Sequence, residues 1–273
     1  MQTLFVKIWR KLFRLSHVIQ GEIWCLHRVV KPRSPQPSNC DLEISPDYLL
    51  QLISEKRRQR YSFVSMDDLL NNSQYLLPRK RIVISFDDGF ADIYTNAFPI
   101  LRKLNVPFIL FLSPAFMERE TYPWWLQLEY CYSDPLEYEH ELKKIFDDPM
   151  DMQLHYEKDY PLYQPDKMLT WPQIEEMIQS GLCTIGAHGT HHNSLIRIDG
   201  KSAKTELLES KKRLEERLKI QVQHMSYPNS EQNASVQQLV KEVGFLSACI
   251  GYGGSIRRGD NPFCLNRKYI TQP

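Results

Sequence analysis

The chain has 273 residues, a formal net charge of +1 and one residue in four charged. That length suits one large α/β domain or two small ones. The near-balance of charge excludes a broad basic footprint for nucleic acid, and the composition excludes a disordered or fibrous chain.

Residues 1–20, MQTLFVKIWRKLFRLSHVIQ, place Phe5, Ile8, Trp9, Leu12 and Phe13 on one helical face and Lys7, Arg10, Lys11 and Arg14 on the other. The charges interrupt every apolar stretch, which does not suit a secretory leader. The pattern is that of a basic amphipathic helix, which either lies in a membrane surface through residues 1–18 or packs on the domain. No uncharged run anywhere is long enough to span a bilayer. Six cysteines (Cys25, Cys40, Cys131, Cys183, Cys249 and Cys264) show no C-x-x-C pairing, and several sit in apolar runs. They read as reduced thiols, which favours the cytoplasm.

From Gly21, GEIWCLHRVV predicts a buried first strand, followed by a Pro-rich loop. SPDYLLQLISEKRRQ predicts a helix with Ser45 as N-cap and Pro46 at its first position. YSFVSMDDLL reads as a short strand entering a short helix, and RIVISFDDG is the clearest strand of all. Pro99 opens PILRKLN as a helix, and PFILFLS after it is a strand. Residues 117–168 lack clear periodicity, are crowded with Trp and Tyr, and read as an insertion. TWPQIEEMIQSG is a helix capped by Thr170 and stopped by Gly181; LCTIGAHG is a strand. SAKTELLESKKRLEERL is a helix with Leu207, Leu214 and Leu218 on one face, and Glu209–Arg213 and Glu215–Lys219 as expected i,i+4 pairs. HMSYPNS, FLSACIG and NRKYIT supply further strands. Strands alternating with helices predict an α/β architecture with parallel strands, whose chemistry gathers at the strand C-termini.

Asp87 and Asp88 end one predicted strand, His27 another and His188 a third. Adjacent carboxylates repel, and burying one unpaired costs several kcal/mol. Asp-Gly is a common turn, but a cation at that point would give one Asp a ligand's task and leave the other free as a base. In AHGTHHNSL, His188 and His192 are four apart, so both imidazoles can reach one metal, and with one carboxylate they form a set with open positions. The zinc-protease motif is excluded, because it needs Glu where Gly189 stands. His191, His155 and His224 read as bystanders or structural residues.

These residues carry a family resemblance. SFDDG, then HGTHH followed by NSL, resemble the first two signature motifs of the polysaccharide deacetylases, the NodB-homology domain of carbohydrate esterase family four. LTWPQIEEMIQSGLCTIGAHGTHH and ELLESKKRLEERL…VQHMSYPNS are similar to the family's approach to its histidine motif and to its Tyr-Pro motif. WCLHRVV resembles the branch whose last histidine motif is permuted to the N-terminus, as in biofilm poly-N-acetylglucosamine deacetylases.

The resemblance implies a deformed (β/α) barrel in a single domain, residues 21–273, after the helix of residues 1–20. It implies Asp87 as catalytic base, and Asp88, His188 and His192 as ligands of a divalent metal, usually zinc. His27 is implied as general acid and the Asn229 backbone N–H as oxyanion donor. Asn229-Ser230 stands where relatives often have Tyr-Gly, and no Leu-x-His occurs near the C-terminus. Tyr227, Trp124, Trp125 and Arg267 are candidate substrate contacts. One tryptophan is expected to face the cleft while the other packs inward, and Arg267 is read as an exposed loop arginine ahead of a partner for Asp87. The expected activity is metal-dependent N-deacetylation of an N-acetylhexosamine in a glycan or lipid-linked precursor of lipopolysaccharide, capsule or exopolysaccharide. The alternatives are an O-acetyl esterase with the same machinery and a non-catalytic carbohydrate-binding relative.

Overall fold

The structure, a computed structural model, describes residues 19–31, 42–71, 80–123, 125, 134–147 and 167–273. The amphipathic stretch 1–18, Trp124, His155, Cys40 and Cys131 lie outside the described residues. The strands are β1 (Ile19–Leu26), β2 (Arg28–Val29), β3 (Glu43–Ile44), β4 (Ser62–Phe63), β5 (Arg81–Phe86), β6 (Phe108–Leu112), β7 (Cys183–Ala187), β8 (His224–Ser226), β9 (Ser247–Gly253), β10 (Ser255–Arg257) and β11 (Leu265–Tyr269). The helices are α1 (Pro46–Arg58), α2 (Met66–Asn71), α3 (Phe98–Leu104), α4 (Pro114–Met117), α5 (Pro135–Asp147), α6 (Trp171–Gln179), α7 (Gly200–Leu218) and α8 (Ala234–Val243).

The sheet order β1-β11-β9-β8-β7-β6-β5 closes on itself, because β5 also pairs with β1 over Glu22–Leu26 and Ile82–Phe86. Every pairing in that ring is parallel, so this is a seven-stranded parallel barrel, the deformed (β/α) barrel expected from the sequence. β4 extends it beside β5, and β10 runs antiparallel along β1.

Alternation along each strand sorts the core into two parts. Trp24, Leu26, Ile82, Ile84, Phe86, Phe108, Leu110 and Leu112 point outward and pack under the helices. Ile23, Val83, Ile109, Phe111, Cys249 and Leu265 fill the barrel interior, with Met66 and Leu69 of α2 packed against them. Ser45 caps α1 by accepting the Tyr48 N–H, and Thr170 with Gln173 forms a capping box on α6.

The structure amends several expectations. The first strand stops at Leu26, and His27 leaves the ladder before β2 starts a separate two-stranded sheet with β3. The stretch read as an irregular insertion contains the 13-residue helix α5. On α7, Arg213 reaches Glu118 at 3.0 Å and Glu120 rather than serving a pair with Glu209. Glu215 accepts the Val222 N–H at 2.9 Å, while Lys219 takes the left-handed cap at φ 56°, which removes the second expected pair. Asp199, not a residue of the predicted run, caps α7 through the Lys201 and Ser202 N–H groups. Among the described residues Cys25, Cys183, Cys249 and Cys264 are free, and no described helix is long and apolar enough to cross a membrane.

Gly186 faces the barrel interior, where a Cβ would lie 2.4 Å from Cδ1 of Phe111 and 3.0 Å from the His224 carbonyl oxygen. Gly186→Ala is therefore expected to destabilise the protein by about 1–3 kcal/mol through overpacking. In thermal denaturation that is about 2–4 °C of Tm per kcal/mol for a chain of this size. Adding Phe111→Leu should recover part of the loss. If it does not, the contact with the His224 backbone sets the cost.

Candidate active site

The C-terminal strand ends converge on one cleft of about 470 Å³, lined among others by His27, Asp87, Asp88, Trp125, His188, His192, Tyr227, Asn229 and Arg267. β1 delivers His27, β5 the two aspartates, β7 His188 and β8 the Tyr227–Ser230 loop. The aspartates diverge because Asp88 and Gly89 both take left-handed conformations (φ 69° and 85°), which turns the chain sharply at the strand end. A Cβ at Gly89 would come within 2.8 Å of Leu112 and Met117, so the turn also needs glycine for space.

Asp87 is 2 % exposed and Arg267 1 %. Their carboxylate and guanidinium meet in a two-point pair, Nη1 to Oδ1 at 2.7 Å and Nη2 to Oδ2 at 2.6 Å. The other guanidinium hydrogens go to Ser85 Oγ (3.1 Å), Ser226 Oγ (2.7 Å) and the Ile250 carbonyl (2.9 Å). All five donors of a buried arginine are thus satisfied, the condition under which such a cation is tolerated in an interior. Its Cζ stands 5.5 Å from the Phe111 ring centroid. Arg267 is therefore not an exposed loop residue: it sits on β11 with its side chain directed into the barrel, two residues beyond the core residue Leu265. Burial alone would raise the Asp87 pKa, but the charge and hydrogen bonds of Arg267 outweigh it and hold the carboxyl well below the usual range.

Asp88, His188 and His192 form a second group, all buried, whose donor atoms lie within 4.8 Å of one another. Asp88 Oδ1 is 3.5 Å from His188 Nε2 and 3.6 Å from His192 Nε2. His188 Nδ1 faces the Ser226 carbonyl at 2.8 Å, so Nδ1 carries a proton and Nε2 is the atom turned toward Asp88. Burial opposes charge on His188, yet Asp87 and the hydrogen bond to Asp88 raise its pKa. Burial and then the neighbouring His188 pull His192 down to about 3, which keeps it a neutral donor. Two imidazoles and one carboxylate, close-set and buried, fit a zinc-like divalent cation.

The loop bearing the histidines is held from α7. The Glu206 carboxylate accepts from the His191 N–H at 2.6 Å and lies 3.1 Å from His191 Nδ1, while Ser210 Oγ donates to the Gly189 carbonyl at 2.9 Å. His191 thus helps to fasten the loop, and His192 is set at φ 63° beside it. His224 lies at the opposite end of β8, buried between Ser247 and Asp67, a structural residue. The Asn229-Ser230 departure has a local use: both residues are left-handed (φ 55° and 59°), and Ser230 Oγ accepts the Gly251 N–H at 2.7 Å. Tyr227 lines the cleft, but its hydroxyl is committed to the Phe263 carbonyl at 2.8 Å. Trp125 packs on the His192 ring (4.7 Å between centroids) and edge-on to Phe116. His27 stands at the mouth, with its ring 5.5 Å from that of Tyr269 and its buried Nδ1 without a hydrogen-bond partner among the described residues. Burial lowers its pKa against the pull of Asp88 and Asp87. Sequence reasoning missed Ser85, Ser226 and Glu206. All three lie inside the quoted stretches, Ser85 opening SFDDG, Glu206 opening ELLESKKRLEERL and Ser226 preceding Tyr227, so the signal was there but a serine or a helical glutamate carries no mark of its partner.

Fold and site together define a parallel-barrel protein with a donor set that fits a cation beside a separately held carboxylate. Residues 75–248 match the family described as polysaccharide deacetylase. A curated relative, YxkH of Bacillus subtilis (strain 168), provisionally named a polysaccharide deacetylase, is 21 % identical over 192 residues, covering 70 % of this chain. The chain spans about half the length of that relative, 52 %. Among solved structures, IcaB from Ammonifex degensii superposes with TM-score 0.68 at 20 % identity, covering 93 % of each chain. The Streptococcus pyogenes deacetylase PplD in complex with acetate gives 0.71 at 19 % identity, again over 93 % of each. A de-N-acetylase from Aggregatibacter actinomycetemcomitans gives 0.65 at 19 % identity over 92 % of this chain and 95 % of that one. At such identities the structural likeness is one of fold. The chain belongs to the polysaccharide deacetylase family.

Removing Arg267 leaves a buried carboxylate uncompensated. Arg267→Met is expected to cost about 3–5 kcal/mol in chemical denaturation. The double variant Arg267→Met, Asp87→Asn should lose clearly less than Arg267→Met alone, because no charge is then stranded. Additive losses would show that Arg267 stabilises the barrel independently of Asp87.

Proposed function

We propose that the protein is a zinc-dependent N-deacetylase that removes acetyl groups from an N-acetylhexosamine in a glycan or lipid-linked glycan precursor. The observation that carries this reading is the convergence, on one cleft, of the Asp88–His188–His192 donor set with a separately held carboxylate, Asp87. Asp88, His188 and His192 would hold the cation. When bound, it would supply Lewis-acid polarisation of the acetyl carbonyl and acidify a water.

Asp87 takes a proton from the attacking water. Arg267 holds Asp87 ionised and fixed in orientation, and it also makes Asp87 a weak base, so the water it deprotonates must be far more acidic than bulk water. The Asn229 N–H, carried in the cleft wall by a left-handed residue, is the donor for the oxyanion that develops on the acetyl carbonyl oxygen. His27 hands a proton to the departing amine nitrogen as the carbon–nitrogen bond breaks. Water and amide are consumed, and acetate and a free hexosamine amine are formed. Trp125 closes the His192 side of the cleft against water.

Purified protein is expected to hold near-stoichiometric zinc, and Asp88→Asn and His188→Ala to lose it. Asp87→Asn should keep the metal and lose acetate release by about 10²–10⁴-fold. Zinc binding should weaken as pH falls, because His188, with its raised pKa, must give up a proton to bind. A wild-type protein that binds no zinc when zinc is supplied would overturn the reading and leave a carbohydrate-binding relative. Acetate release from O-acetyl but not N-acetyl sugars would leave an esterase.

We place the enzyme in the cytoplasm at the inner face of the membrane, on a lipid-linked precursor of lipopolysaccharide, capsule or exopolysaccharide. Support comes from the basic amphipathic pattern of residues 1–18. Protein lacking residues 1–18 is expected to lose its partition to vesicles containing anionic lipid. Equal partition of the shortened and full chains would remove this placement.

A further inference from the structure

Apolar side chains scattered singly on a surface are ordinary, whereas neighbours gathered on one cleft call for an explanation. Tyr252 and Tyr269 are 59 % and 37 % exposed, and both line the active-site cleft. They stand at the C-terminal ends of β9 and β11, which are paired in the barrel with Arg267 opposite Gly253. Tyr269 follows Leu265 and Arg267 on the same strand face, so it is the next inward position, one step above the guanidinium. Tyr252 is displayed between glycines: Gly253 and Gly254 (φ 106° and 99°) turn β9 toward β10 at the mouth. Gly251, also in the cleft wall, has no side chain to narrow it, and a Cβ there would meet Ser230 Oγ at 2.6 Å.

The two sides of the cleft differ. On one side Trp125 is packed on His192 and Phe116, with 8 % of its surface exposed. On the other, Tyr269 adjoins His27, and Tyr252 lines the cleft from the end of β9. In an N-acetylhexosamine the amide nitrogen is bonded to ring carbon 2. A group that protonates that nitrogen therefore stands on the ring side of the scissile bond, and in this cleft that group is His27.

We propose that Tyr252 and Tyr269 form the sugar-binding wall of the cleft, an aromatic platform against which the apolar face of a pyranose ring stacks. The occupant is the ring that carries the acetamido group, together with its neighbour along the glycan. This deepens the N-deacetylase reading and rests on it for the position of the scissile nitrogen beside His27. It adds to the candidate contacts read from the sequence two residues outside every recognised motif. The tyrosine rings supply apolar contact and tolerate different linkages, so the platform selects for a pyranose rather than for one sugar.

The test is calorimetric titration of the full-length Asp87→Asn protein, zinc supplied, with N-acetylglucosamine and its short β-linked oligomers. Tyr252→Ala and Tyr269→Ala are each expected to weaken oligomer binding roughly fivefold to tenfold. Tyr252→Phe and Tyr252→Trp should keep it, because the ring and not the hydroxyl does the work. Zinc content and Tm of each variant check that the fold and the cation site are intact. Unchanged affinity in the alanine variants, or no binding of any oligomer by the parent, overturns the platform. Tyrosine-dependent binding by a protein whose wild-type form releases no acetate would instead uphold the platform and overturn the deacetylase reading.

Discussion

Two carboxylates on consecutive residues, each 2 % exposed, repel one another at the end of a buried strand. The barrel mouth can hold both only because the left-handed turn at Asp88 sends them apart and each meets a different counter-charge. Asp87 descends to the Arg267 guanidinium; Asp88 turns to the histidines of the loop after β7. Placing Arg267 so deep requires acceptors for all five of its donors. Ser85 from β5, Ser226 from β8, a carbonyl from β9 and the Asp87 carboxylate supply them, so four barrel strands are tied through one side chain. The desolvation cost of that cation is offset by the completeness of its partners.

Above this layer the loops are held in conformations that cost energy. Asp88, His192, Asn229 and Ser230 all have positive φ without being glycine, and each sits in the cleft or directly beside it. Such residues persist only where the surroundings over-determine them. Glu206 and Ser210 of α7 clamp the Gly189–His191 backbone, and Ser230 is tied to Gly251. Glu231 receives Ser194 and both ends of Arg197, joining the loop after β7 to the loop after β8. The cleft is thus pre-formed by its second ring of residues, as an arrangement that must meet a developing charge without reorganising should be.

Much of this was legible in the sequence. Alternating strands and helices, capping residues such as Ser45 and Thr170, and the apolar run before Asp87 all act locally, so the chain displays them directly. The Asp88–His188–His192 group could be read because strand C-termini in a parallel barrel converge on one end. The role of Arg267 could not be read from its neighbours: NRKYIT reads as a strand, but nothing in it says that the face bearing Arg267 is the buried one. What decides it is burial, which depends on β11 pairing with β9 on one side and, on the other, with β1 at the far end of the chain. The α7 ion pairs failed for the same reason: Arg213 has Glu209 one turn away, but the tertiary structure brings Glu118 and Glu120 closer to its reach.

The strand period accounts for the division of labour at the mouth. Leu265, Arg267 and Tyr269 share one face of β11; Ile23 and Cys25 share one face of β1, with His27 just past its end; Val83 and Ser85 share one face of β5, with Asp87 just past its end. In each series the first residue fills the barrel, the second touches or lies beside the guanidinium layer, and the third reaches the cleft. A one-residue slip in any of these strands would turn all three to the helical side at once. The apolar filling of the lower barrel therefore does more than stabilise the fold. By fixing the register of β1, β5 and β11, it fixes which side chains arrive at the mouth and at what height.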